Sequence, residues 1–235
     1  HHLFCGISLE PLSRYPFEPV SPGLQVVEAA QLGWNLPGSP AVRFLPCLGS
    51  FVGSDILAGL LATKLHESEQ VAVLIDLGTN GEIVVGNRER MLCASTAAGP
   101  AFEGARISMG MRAATGAISE VRARDGQFEC HVLGNVAPRG ICGSGLVDAV
   151  AVGLDLGRIS PMGRLANGDP LTLAEPVTLN QWDVRELQLA KGAIAAGLRI
   201  LLEQWGATKD DLAQVFLAGA FGNYINHTSA RRIGL

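Results

Sequence analysis

The chain has 235 residues, 48% of them hydrophobic and 17% charged, with a formal net charge of -4. That length carries one large domain or two modest ones, and that apolar share excludes a disordered chain. Slight acidity without a basic block argues against nucleic-acid and membrane-surface partners, and no apolar run reaches a bilayer span.

The chain opens on His1-His2-Leu3-Phe4 with no export signal, and it stops at Leu235 just after a motif. The expectation is a piece of a longer, cytoplasmic protein. Residues 10–50 are rich in proline and glycine and read as loops around one short strand at 41–45. FVGSDILAGLLATKLHES, within 51–68, predicts a helix of roughly three to four turns. Ile56, Leu60 and Leu61 form its apolar face, and Ser54 or Asp55 is placed to cap it.

A near-continuous apolar run at 71–77 predicts a buried strand, with 82–85 as its hairpin partner. Further strands are expected at 90–94, 117–124 and 127–133, the last two joined by Asp125-Gly126. GICGSG then turns into a helix at 146–156. A longer helix spans 183–205, and a final strand at 215–218 runs into AGAFGNYI. Grouped strands followed by helices and one more strand fit a layered α/β lobe.

The stretch IDLGTNG carries the most chemistry. Wrapping a phosphate requires backbone N–H groups turned inward and no side chain in the way, which Gly78 and Gly81 supply. Thr79 and Asn80 add a hydroxyl and an amide for phosphate oxygens. Asp76, at the strand end, suits the hydration shell of Mg²⁺. The competing reading is a tight hairpin in which Asp76 caps backbone groups. There is no G-x-x-x-x-G-K-[ST] loop, and GICGSG has the spacing of neither a dinucleotide fingerprint nor a nucleophile elbow.

Cys5, Cys47, Cys93, Cys130 and Cys142 are scattered without a C-x-x-C pair, as expected for reduced thiols. In the long helix, Val184, Leu187, Lys191, Ile194, Leu198, Leu201 and Trp205 recur at three- and four-residue steps. Lys191 therefore interrupts an apolar stripe, and its ammonium needs water, a carboxylate or a ligand.

DLGTNGE between strands resembles the second phosphate loop of the actin-like ATPase superfamily. GSDILAGLLA resembles that superfamily's first connecting helix, and VFLAGAFGNYI its adenosine loop. The phrases FVGSD, IDLGTNGEIVVG, STAAGPAFEGARI, GMRAATGAI, ICGSGLVDAV, DVRELQLAKGAI and LAGAFGNYI are similar to the ATPase domain of the reductive activators of corrinoid proteins.

The resemblance implies an actin-like (ribonuclease H-like) α/β lobe with a mixed sheet flanked by helices, spanning 69–235. The tail of the neighbouring lobe would occupy 1–68, with a connecting helix at 51–67. It implies ATP and Mg²⁺ as ligands and a corrinoid protein or corrinoid methyltransferase system as partner, with a homodimer as a further expectation. An iron–sulfur cluster would sit only in the part of the full-length protein outside this chain. The activity implied is ATP-driven return of Co(II) to Co(I), with this piece inactive alone. A non-catalytic nucleotide-binding or dimerisation module and a small-molecule kinase are the alternatives.

By the same resemblance, Asp55 orients the attacking water or is an ordinary helix cap. Asp76 holds the metal's waters. Gly78, Thr79, Asn80 and Gly81 surround phosphate. Gly143, Ser144 and Gly145 either attract ligand oxygens at a helix start or make a close helix–sheet contact. Gly219, Gly222 and Asn223 lie against adenine or form a strand-to-helix turn. From the residues themselves, Lys191 on its apolar stripe meets the nucleotide or snorkels to the lobe edge, and Glu103, in a loop-like apolar setting, makes a nucleotide or interlobe contact.

Overall fold

The computed structural model describes residues 2–49, 51–166, 168 and 170–235. Its first elements are the antiparallel pair β1 (Gln25–Glu28) and β2 (Ala41–Phe44). Only β2 is predicted from sequence, since QVVE is too short to stand out among prolines. Helix α1 (Ser54–Thr63) follows. It ends earlier than predicted because Lys64 turns left-handed, and Leu65–Glu67 forms a separate 3-10 turn. The capping expectation fails too. Gly53 is the N-cap residue, so Ser54 and Asp55 both lie in the first turn.

Strands β3 (Ala72–Leu77), β4 (Gly81–Gly86) and β5 (Met91–Thr96) form an antiparallel meander. A second sheet is built from β6 (Ala117–Arg124), β7 (Gln127–Val132) and the short β8 (Gly140–Ile141). Asp125 and Gly126 both take positive φ, as the tight hairpin turn between β6 and β7 requires. Helix α2 (Gly143–Asp155) packs on β6. The hairpin β9 (Leu171–Ala174) and β10 (Val177–Leu179) leads to α3 (Gln181–Trp205). Then β11 (Gln214–Ala218) lies parallel to β3, giving a mixed sheet in the order β11-β3-β4-β5. The short α4 (Gly219–Gly222) and α5 (His227–Ile233) close the chain.

Side chains alternate across a strand, so the unbroken apolar run of β3 feeds two cores. Ala72 and Leu74, with Val84 of β4, pack against Ile56 and Leu60 of α1. Val73, Ile75 and Leu77, with Ile83 and Val85, join the larger core that contains Leu187, Ile194 and Leu201 of α3. The helical stripe is therefore buried as its spacing predicts. Asn180 caps α3 by accepting from the Asp183 N–H, while Asp183 accepts from the Asn180 N–H.

The Gly143-Ser144-Gly145 triplet does not precede a helix but forms its buried first turn. A Cβ on Gly143 would lie 1.9 Å from the Phe102 carbonyl oxygen, and one on Gly145 2.2 Å from that of Ile118. The Ser144 hydroxyl donates to the Ser119 carbonyl at 2.8 Å. Gly143→Ala is expected to destabilise the fold by about 1–3 kcal/mol through overpacking. Gly192→Ala, on exposed α3 surface with nothing within 4 Å of the new Cβ, stabilises it by about 0.5–1 kcal/mol. Urea denaturation of the two variants beside the native chain checks the contrast.

Candidate functional site

The site grows out of the β3–β4 turn. Leu77 pairs with Gly81, which leaves residues 78–80 as the whole connection and fixes Asp76 directly opposite Glu82. Glu82 in turn lies opposite Ser95 of β5, and Asp76 beside Ala218 of β11. Ala218, Asp76, Glu82 and Ser95 thus form one row across the sheet. They share the face that α1 covers, where the helix's first turn brings Asp55.

Like charges directly opposite one another in a sheet are destabilising. Burial, and then the negative charge of Asp55, hold the Asp76 carboxyl above its usual range. Burial also raises Glu82. The Ser95 hydroxyl, donating at 2.9 Å, and a backbone bond oppose that rise, while Asp76 and Asp55 add to it. Among the described residues, no lysine, arginine or histidine pairs with any of the three carboxylates.

This donor set fits a divalent cation. It is all carboxylate and hydroxyl oxygen, its charge is uncompensated, and a cavity of about 370 Å³ opens beside Asp55 and Glu82. The described residues do not assemble three such groups as a direct ligand cage. Gly219 completes the approach. Its φ is 82° and a Cβ there would fall 2.5 Å from Asp76 Oδ1, so the end of β11 reaches the carboxylate only as glycine.

Other predicted residues divide sharply. The Gly78 N–H donates to the Asn80 carbonyl at 3.0 Å, and the Thr79 carbonyl accepts from the Gly99 N–H at 2.8 Å. Thr79 and Asn80 are exposed, and the Thr79 hydroxyl donates to Glu103 at 2.7 Å. Gly81 is buried instead. A Cβ there would meet Thr96 Oγ1 at 2.8 Å and Ile194 at 2.9 Å, so its bareness serves the approach of α3.

Gly143, Ser144 and Gly145 are buried under Phe102 and β6, as described above. Phe102 stacks on Phe221 of α4 with ring centroids 4.6 Å apart, which links that triplet to the Gly219 turn only indirectly. Gly222 and Asn223 line an apolar groove of about 650 Å³ together with Ile194 and Leu198. Lys191 donates to the Ile233 carbonyl at the end of α5. A helix C-terminus is a favourable place for a cation, and it is a partner that the stripe alone did not name.

Glu82 and Ser95 are the residues that sequence reading missed. The signal was available: a three-residue connection fixes the register that sets residue 82 against residue 76. No helix among the described residues is long and apolar enough to cross a membrane.

Residues 70–235 match the family described as the C-terminal domain of RACo, the ASKHA domain, and residues 1–68 match the RACo middle region. The corrinoid activation enzyme RamQ of Eubacterium limosum is 38% identical, aligned over 100% of this chain and 44% of its own length. The [Co(II) methylated amine-specific corrinoid protein] reductase of Methanosarcina barkeri is 32% identical over 80% of this chain and 39% of its own. A solved structure, a reductive activator for corrinoid, iron-sulfur protein, superposes with a TM-score of 0.86 at 32% identity. The match covers 98% of this chain and 40% of that one. The chain therefore spans less than half the length of these relatives.

The carboxylate row has a pH signature in the metal-free chain. Asp76 and Glu82 titrate above their usual range when folded, so their burial costs stability at neutral pH. As pH falls, the folded state takes up protons before the unfolded state, and that cost is relieved. Urea melts in EDTA are expected to show stability rising as pH falls from 7 toward the ordinary carboxylate range, before general acid unfolding sets in. Glu82→Gln makes the rise smaller and adds up to about 1 kcal/mol at pH 7.

Proposed function

The chain belongs to the RACo family, carrying its middle region and its C-terminal ASKHA domain, and we propose that it is the ATP-binding part of a reductive activator. Within the longer protein it couples ATP binding and hydrolysis to the reduction of Co(II) to Co(I) in a corrinoid protein. The names of the similar proteins supply the corrinoid partner and the reduction. The observation that carries the nucleotide reading is the convergence of Asp76, Glu82 and Asp55 at the strand end before the 78–80 turn, where the chain at Gly219 approaches Asp76 as only glycine can.

In this reading Asp76 and Glu82 hold the water shell of Mg²⁺, and Asp55 faces them from α1 to orient the attacking water. The Gly78 N–H is spent within the turn on the Asn80 carbonyl, so Thr79 and Asn80 present their backbone N–H groups, the Thr79 hydroxyl and the Asn80 amide to the phosphates. Gly222 and Asn223 meet the base at the rim of the apolar groove. The bound metal supplies charge neutralisation at the polyphosphate, and the protein's share is positioning. Residues 1–68 serve as the tail of one lobe and 69–235 as the other. The iron–sulfur group that delivers the electron lies outside this chain. Hydrolysis drives an uphill electron step only if the nucleotide states prefer different lobe arrangements.

Calorimetric titration with ATP and Mg²⁺ is expected to show binding by the intact parent and weaker binding by this chain. In the parent, Asp55→Asn keeps nucleotide binding and lowers hydrolysis by roughly 100-fold or more. Native parent that binds ATP without turning it over would mark a non-catalytic nucleotide module. Unchanged turnover in Asp55→Asn would remove Asp55 from the chemistry.

A further inference from the structure

The turn after β5 borders the β3–β4 turn. The Gly99 N–H and Glu103 both bond to Thr79, through its carbonyl and its hydroxyl. Phe102, between them, stacks on Phe221, and its carbonyl occupies the space that a Gly143 side chain would need. Behind the turn, Ser108 donates its N–H and its hydroxyl to the fully buried carboxylate of Asp183, each at 2.7 Å. Gly104 has a φ of 80° and a Cβ there would lie 2.7 Å from the Met111 backbone, so the segment is folded tightly on itself. Glu103 is thus fixed against the phosphate turn by both flanks. It is exposed and forms no ion pair among the described residues.

Resting on the nucleotide reading above, we propose that Glu103 makes the phosphate turn selective for metal-complexed over bare polyphosphate. The Thr79 hydroxyl has one proton, and Glu103 already accepts it. A phosphate oxygen that reaches Thr79 must compete with that carboxylate and stand within a few ångströms of its charge. Like charges at that range repel strongly in a partly desolvated cleft. A metal-bound polyphosphate carries less negative charge and brings coordinated water, whose O–H groups donate to Glu103. The same side chain then repels one form of the ligand and helps to hold the other.

The experiment is titration of the intact parent protein, native and with Glu103→Gln or Thr79→Val, with ATP, once in excess Mg²⁺ and once in EDTA. The readout is the ratio of the two dissociation constants. Glu103→Gln retains an acceptor for the Thr79 hydroxyl, so the turn keeps its order while the charge is gone. The expected result is a ratio about tenfold smaller than native in Glu103→Gln, from tighter binding of the metal-free nucleotide. Thr79→Val keeps the carboxylate, so its ratio stays native although both affinities fall. Equal ratios in native and Glu103→Gln overturn the proposal, as does a ratio that collapses equally in Thr79→Val. Absence of ATP binding by all three proteins in both conditions defeats the nucleotide reading itself, and this proposal with it.

Discussion

Two carboxylates set directly opposite each other in a sheet are an arrangement that a fold avoids unless something offsets it. Asp76 and Glu82 are held in that relation by the short β3–β4 connection, and α1 places a third carboxylate over them. Their burial side by side, with the charge of Asp55 added, is the constraint from which the site follows. It is tolerated because the surrounding cores are large and the row lies at a strand end, where a cation and water have access. Ser95, donating to Glu82, opposes the cost more strongly than the Asp76 charge adds to it. In the proposed reading the remainder is what a divalent ion would relieve.

The fold around this row acts as its positioning device. Parallel pairing of β11 with β3 brings the chain back beside Asp76, and left-handed Gly219 redirects it at once into α4. From there α5 is tied down on two sides. Lys191 of α3 bonds its last carbonyl, and Arg232 pairs with Asp155 of α2 at 2.5 Å. The turn after β5 joins the phosphate turn to the Asp183 clamp on α3. A ligand that shifts Thr79 or Gly219 therefore acts on helices that also support the second sheet.

Much of this was legible in the residues. β6 has the limits that its alternation and the Asp125-Gly126 turn indicate, and α3 buries the stripe that its spacing drew. Gly219 does lie against Asp76 and the Leu77 backbone. The unread parts have definable causes. β1, β8, β9 and β10 are two to four residues long, below the length at which periodicity carries information, and they exist because neighbours pair with them. The end of α1 depends on one left-handed lysine, a conformation that lysine rarely announces. The bare backbones of Gly81, Gly143 and Gly145 face protein atoms and not a ligand, because glycine marks close approach without naming what approaches. Glu82 was hidden by its place in an ordinary-looking strand, and only the register turned it toward Asp76.

The central claim is that the row of Asp76 and Glu82, faced by Asp55 and bordered by residues 78–80 and Gly219, grips the metal end of a nucleotide. The most direct measurement is nuclear magnetic relaxation of the isotope-labelled chain on addition of ATP carrying paramagnetic Mn²⁺ in place of Mg²⁺. The account predicts that the amide signals of Asp76, Gly78, Thr79, Glu82 and Gly219 broaden first, while those of β7 and β9 stay sharp. Broadening centred elsewhere, or spread evenly over the surface, contradicts it.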